Sequence, residues 1–143
     1  MRDTHHIELL VIDYFQLICS SLHAAPLDKQ LDACEVAAGL HALAKELDIP
    51  ILVLVHLNRP RLEHRLDPPR LSDLRDAASL VSYARSVALL WRKEEERSVE
   101  DKEFESRCRV ELIISKQENG PTESVPLIFH PRCGRFETDP APL

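Results

Sequence analysis

Five short apolar runs alternate with polar and charged stretches along the chain. Ile7 to Ile12 reads IELLVI, apolar but for Glu8, and ends at Asp13. A short run with so little alternation predicts a strand buried on both faces, as in a parallel sheet. Residues 19–27 predict a loop that ends at Pro26. From 28 to 48 the period changes to a helical one. Leu31, Val36, Leu40, Leu43 and Leu47 fall near one face, and Lys29, Asp32, Lys45 and Glu46 fall elsewhere. Asp28 and Asp32 suit the positive end of the helix dipole, and Pro50 marks the helix end. Ile51 to Val55 predicts a second buried strand. Arg59 to Leu71 is rich in Arg and Pro and predicts an exposed loop. Ser72 suits the N-cap of a helix reaching about Ala84, and Ser86 to Trp91 predicts a third strand. Residues 92–107 are dominated by charge and predict a solvated loop. Val110 to Ser115 and Val125 to Phe129 predict two more strands, joined by a turn at Asn119-Gly120-Pro121. Pro126 predicts a position near a sheet edge for the last of them.

Strand, helix, strand, helix, strand is the order of βαβ units. The fold class expected is therefore α/β, a mostly parallel sheet flanked by helices with a C-terminal antiparallel hairpin. The 143 residues suit one domain with one core. No apolar run approaches the ~20 residues of a membrane span, and the opening MRDTHH lacks the pattern of a signal peptide. Cys19, Cys34, Cys108 and Cys133 form no CxxC pair, and no two histidines are spaced as HxxxH or HExxH. Free thiols in the cytoplasm and no dedicated metal cluster are the expectation. Net charge is −6, so any nucleic-acid contact has to come from a local basic patch.

IELLVIDY carries the first chemistry. A buried strand ending in an acid delivers a carboxylate to the carboxyl edge of a parallel sheet, where ligands sit in open α/β folds. The same acid can also serve as a turn or helix cap, and the motif alone leaves both open. VIDYFQLI is then followed, in order, by ALAKELDIPILVLVHLNR (42–59), LSDLRDAASLVSYARSVALLWR (71–92) and ELIISKQENGP (111–121). Together these resemble successive stretches of the DnaB helicase family, among the RecA-like P-loop ATPases. The resemblance runs from about Ile7 to Phe129. It implies that residues 1–143 make up the second half of a DnaB-type ATPase domain, a partial RecA-like core, with 93–107 a charged loop within it.

Carried over residue by residue, the resemblance implies that Asp13 is the acid that holds magnesium. His56 stands where the family has a Gln that senses the γ-phosphate, and an imidazole can also donate a hydrogen bond to phosphate. Asn58 and Arg59 keep the family's Asn-Arg and open a loop toward DNA. Arg59, Arg61, Arg65 and Arg70 make that loop the most basic patch, suited to phosphate contacts. Arg75 matches the Arg of the family's SDLRESG, another DNA-backbone contact, but Ala78 replaces its glycine and adds a β-carbon where the backbone would approach the ligand. Lys116 matches the Lys of KQRNGP, which reaches the neighbouring subunit's ATP. The adjacent family Arg is Glu118 here. An arginine finger is worth roughly 10³–10⁵ in rate, and a carboxylate in its place reverses the sign of an interaction of about 4 kcal/mol at ~4 Å.

No GxxxxGK[ST] occurs in the sequence, which has three glycines. The loop that cradles phosphates needs those glycines, a Lys and a hydroxyl. The expectation is that ATP and magnesium bind in the family through parts outside these 143 residues, and that this chain alone does not hydrolyse ATP. Two functions fit. One is a domain of a hexameric replicative helicase acting on single-stranded DNA, completed by further polypeptide. The other is a non-catalytic remnant or interaction module that docks on a helicase ring, as Glu118, His56 and Ala78 suggest. A recombinase or clock-type ATPase fits the SDLR and KQ-x-NGP motifs less well. A sheet cut through its middle leaves an open strand edge, so self-association or pairing with a helicase subunit is expected.

Overall fold

The computed structural model describes residues 6–20, 28–57, 67–74, 77–92 and 108–140, with backbone only for 20 and 28–31. The predicted loops over 19–27, 59–71 and 92–107 lie mostly outside these residues. The chain divides into two compact units, Met1–Asn58 with Ser72–Ala84, and Arg59–Leu71 with Arg85–Leu143.

In the first unit β1 (Leu10–Ile12) pairs in parallel with β2 (Ile51–Val53), Leu10 opposite Ile51 and Ile12 opposite Val53. Between them run α1 (Phe15–Ser20) and α2 (Asp28–Leu47), followed after β2 by α3 (Ala78–Tyr83). The long helix ends where Asp48 takes a left-handed φ of 51°, and the Ile49 N–H reaches back to the Ala44 carbonyl. That is the Schellman arrangement, which satisfies a carbonyl left open at the helix end. The core forms around Phe15, Ala33 and Ala77, with Cys19, Val36, Leu40, Val53, Val55 and Leu80 packed against it. Small alanines let α2 and α3 approach closely, and the Ser79 hydroxyl donates to the Ala33 carbonyl at 3.0 Å.

Two expectations for this unit are corrected. Residues 72–84 are not one helix capped by Ser72. A 3-10 turn spans Leu71–Asp73, and the α-helix begins at Ala78 after an Ala77 cap that makes no side-chain hydrogen bond. Leu74 and Ala77 are both buried, and the Ala77 N–H bonds to Leu74, so the tighter three-residue spacing serves the core. Asp32, expected away from the apolar face of α2, is 4 % exposed. Burial first, and then the nearby Asp32 charge, hold the Cys19 thiol above its ordinary range.

Helices cover one face of the β1–β2 pair. The other face is bare: Leu9, Val11, Leu52 and Leu54 are 51, 50, 52 and 43 % exposed. Parallel strands are normally covered on both sides.

The second unit is a four-stranded antiparallel sheet in the order β3 (Ser86–Trp91), β4 (Cys108–Gln117), β5 (Ser124–His130), β6 (Arg135–Thr138). The α/β class and the C-terminal hairpin match the sequence expectation. The share of parallel pairing is smaller, since β3 pairs antiparallel with β4. Pro126 lies on an inner strand, β5, not an edge. Its carbonyl accepts from the Asp139 N–H at 3.1 Å, just past the last ladder pair, Leu127 with Thr138. Its missing N–H therefore falls where the β6 ladder has already ended. The short strand β6 was not anticipated. It follows a turn at 131–134 in which Gly134 takes φ 64°, and the Phe129 and Phe136 rings meet across the pair, tilted by 32° with centroids 4.6 Å apart. Arg109 pairs with the buried Asp139 at 3.2 Å. Among the described residues no helix is long and apolar enough to cross a membrane.

Phe15 is 1 % exposed and the largest fully buried side chain described, so Phe15→Ala is expected to cost about 3–5 kcal/mol in urea unfolding. Val11→Thr, on the bare face, is expected to change stability by less than about 0.5 kcal/mol. Because its thiol is raised, Cys19 is expected to alkylate at pH 8 several-fold more slowly than the exposed Cys34 and Cys133, the gap closing as pH rises.

Candidate functional site

Parallel pairing turns the carboxyl ends of β1 and β2 to the same edge. Asp13 follows β1 directly and is exposed, and His56 lies three residues beyond β2, also exposed. The chain leaving each strand is laced to the other. Leu54 N–H donates to the Ile12 carbonyl and Phe15 N–H to the Leu54 carbonyl, each at 2.9 Å. The Tyr14 ring stacks on His56, centroids 3.9 Å apart and planes within 21°. The Gln16 side-chain amide donates to the His56 carbonyl at 2.9 Å and accepts the His56 N–H at 3.3 Å. The fold thus brings the region of Asp13 and the backbone of His56 together. Tyr14 and Gln16 did not stand out as functional residues in the sequence. Their membership of the VIDYFQLI stretch was the available signal.

In the second unit the β3–β4 ladder slips between Val87 and Ala88, whose partners are Lys116 and Ile114. Ser115 is the surplus residue of a β-bulge, a device that re-aims the side chains beside it. With it in place Lys116 lies opposite Val87, on the face of Leu89 and Ile113. The Glu118 N–H continues the pairing to the Arg85 carbonyl at 3.1 Å. Glu118 is not a bare carboxylate, since Arg85 Nε meets its Oε2 at 3.0 Å. Arg70 is exposed, while Arg59, Arg61, Arg65 and Arg75 lie outside the described residues.

A family model described as the DnaB-like helicase C terminal domain matches residues 1–138. The chain belongs to that family. Its relatives include the replicative DNA helicase DnaB of Geobacillus stearothermophilus, 36 % identical over 137 residues, which are 95 % of this chain and 29 % of the relative. The chain spans less than a third of the length of such curated relatives. Among solved structures it is similar to an ATPase domain, with TM-score 0.71 and 32 % identity over 91 % of this chain and 44 % of that one. It is also similar to a DnaB-like replicative helicase studied with primase, with TM-score 0.68 and 29 % identity over 90 % of this chain and 29 % of that one. The motifs that suggested a DnaB-type helicase domain therefore identified the family correctly.

In this DnaB-family domain the Arg85–Glu118 pair is a surface one, with side chains 79 and 48 % exposed. Exposed pairs contribute little. A double-mutant cycle of Arg85→Ala and Glu118→Ala, read by urea unfolding, is expected to give a coupling below about 1 kcal/mol.

Proposed function

We propose that the chain is the second half of a RecA-like DnaB-type ATPase core, contributing Asp13 and His56 to a nucleotide site whose phosphate cradle comes from polypeptide outside these 143 residues. The observation that carries this is the placement of Asp13 and the His56 backbone at adjoining ends of a parallel strand pair, laced by the bonds described above. Magnesium bound through nucleotide phosphates requires only one or two carboxylates, which Asp13 alone fits. When bound, the ion would neutralise charge developing on the phosphates. His56 would face the γ-phosphate from the strand end, and Lys116 would approach the ATP of an adjoining subunit in a hexamer. The bare face of Leu9, Val11, Leu52 and Leu54 supports a wider core: four half-exposed apolar side chains leave about 3–5 kcal/mol of burial unrealised. In the full domain these strands would join a larger, mostly parallel sheet. The loop carrying Arg59, Arg61, Arg65 and Arg70, with Arg75, would meet the backbone of single-stranded DNA.

Glu118 favours a second reading, a non-catalytic module that docks on a helicase ring. Arg85 answers its charge locally but does not restore a guanidinium at that position.

A chimera separates the two readings. The matched residues of the Geobacillus stearothermophilus helicase are replaced by this chain, and magnesium-dependent ATP binding and turnover are measured. Binding is expected, Asp13→Ala weakens its magnesium dependence, and Glu118→Arg raises turnover by up to about 10³. The 143 residues alone are expected to show no turnover. Turnover by the lone polypeptide, or a chimera indifferent to Asp13→Ala, would overturn the proposal. A chimera that binds ATP but stays inactive with Glu118→Arg would favour the docking module.

The DNA contact has its own check. Binding of a labelled single-stranded oligonucleotide by the chimera is expected to weaken with salt, and Arg59→Ala with Arg61→Ala to flatten the log–log slope by about 1.4.

A further inference from the structure

We infer that Gln16 and Tyr14 are positioning residues for His56, holding it in a set orientation beside the strand end that carries Asp13. The use of that orientation rests on the proposed phosphate-facing role of His56; the hold itself does not.

β1 ends at Ile12 and β2 at Val53, so the backbone at His56 has passed the last ladder pair. Gln16 replaces the missing strand. A primary amide carries both a donor and an acceptor. Its Nε2 donates to the His56 carbonyl at 2.9 Å while its Oε1 accepts the His56 N–H at 3.3 Å, as a neighbouring strand residue would. A carboxylate could not donate and an ammonium could not accept. Gln16 is itself fixed, because it follows Phe15, which is 1 % exposed and donates its N–H to Leu54.

Tyr14 holds the other half of the residue. Its ring covers one face of the imidazole at 3.9 Å and 21°. Backbone clamp and ring stack arise from residues two apart on one turn, so displacing His56 requires breaking both. A phosphate that pulled on His56 would then pull on the start of α1 through Gln16.

The test uses the labelled 143-residue polypeptide and nuclear magnetic resonance. In the wild type the His56 ring protons are expected upfield of their coil positions, and the His56 amide protected from exchange. Tyr14→Phe keeps the ring shift, since the stack needs the ring and not the hydroxyl. Tyr14→Leu returns it to the coil value. Gln16→Ala speeds exchange of the His56 amide about tenfold. Thermal midpoints of the four proteins are compared at the same time, because a role confined to folding would move the midpoint without singling out His56. Should Gln16→Ala unfold the chain, Gln16→Met, similar in shape but unable to bridge, carries the same measurement. Coil-like His56 signals in the wild type, or Tyr14→Leu and Gln16→Ala variants that leave them unchanged, would overturn the hold. Loss of the nucleotide reading shows up separately, in the chimera.

Discussion

Two strands of three residues, hydrogen-bonded side by side and pointing the same way, set the rest of the first unit. In a parallel pair the residues that leave each strand emerge at one edge, so the Ile12–Val53 register puts the chain after Asp13 beside the chain leading to His56. Antiparallel pairing of the same segments would have sent them to opposite ends. The pair is too short to hold its own ends, and the additional bonds through Leu54, Phe15 and Gln16 extend it beyond the regular ladder. Burial of Phe15 under α2 and α3 anchors that extension.

The thinness of the core follows from the same arrangement. The described buried hydrophobics of the first unit are alanines with Phe15, Ile49 and Leu74, and the cluster of Phe15, Ala33 and Ala77 packs between helices and strands. The opposite face offers leucine and valine to solvent. The chain spans less than a third of the length of the curated relatives it matches, and its parallel strand pair is covered by helices on one face. In the second unit, Glu118, which the resemblance sets at a family arginine, meets Arg85 at its carboxylate.

Much of the first unit was readable from residue order. The acid-ended strand, the long helix stopped before Pro50 and the second strand are each marked by a change of period or a proline. So were the turn at Asn119-Gly120-Pro121 and the hairpin it joins. The misses have physical causes. Asp32 reads as lying off the apolar face because periodicity counts residue types, whereas the most buried side chains of the helix include Ala33 and Ala37, which shift the buried face. The 72–84 segment reads as one helix because a 3-10 turn and an α-helix share nearly the same apolar spacing. Strand β6, RFET, has no apolar run, and only Gly134 hints at the turn before it. The partner of β3 was hidden because a buried strand reads alike in either pairing direction. The contact of Gln16 with His56 joins residues forty apart, which no local pattern encodes.

The surplus residue at Ser115 has a further implication for how the charged end of β4 evolves. Strand faces alternate, so one extra residue exchanges inside for outside in everything that follows it. Lys116 and Glu118 owe their side of the sheet to that count and not to their own chemistry. A single-residue deletion upstream in the strand would therefore invert both charges together while leaving the local sequence intact, and the spelling of this motif in a relative is meaningful only once the bulge has been found there as well.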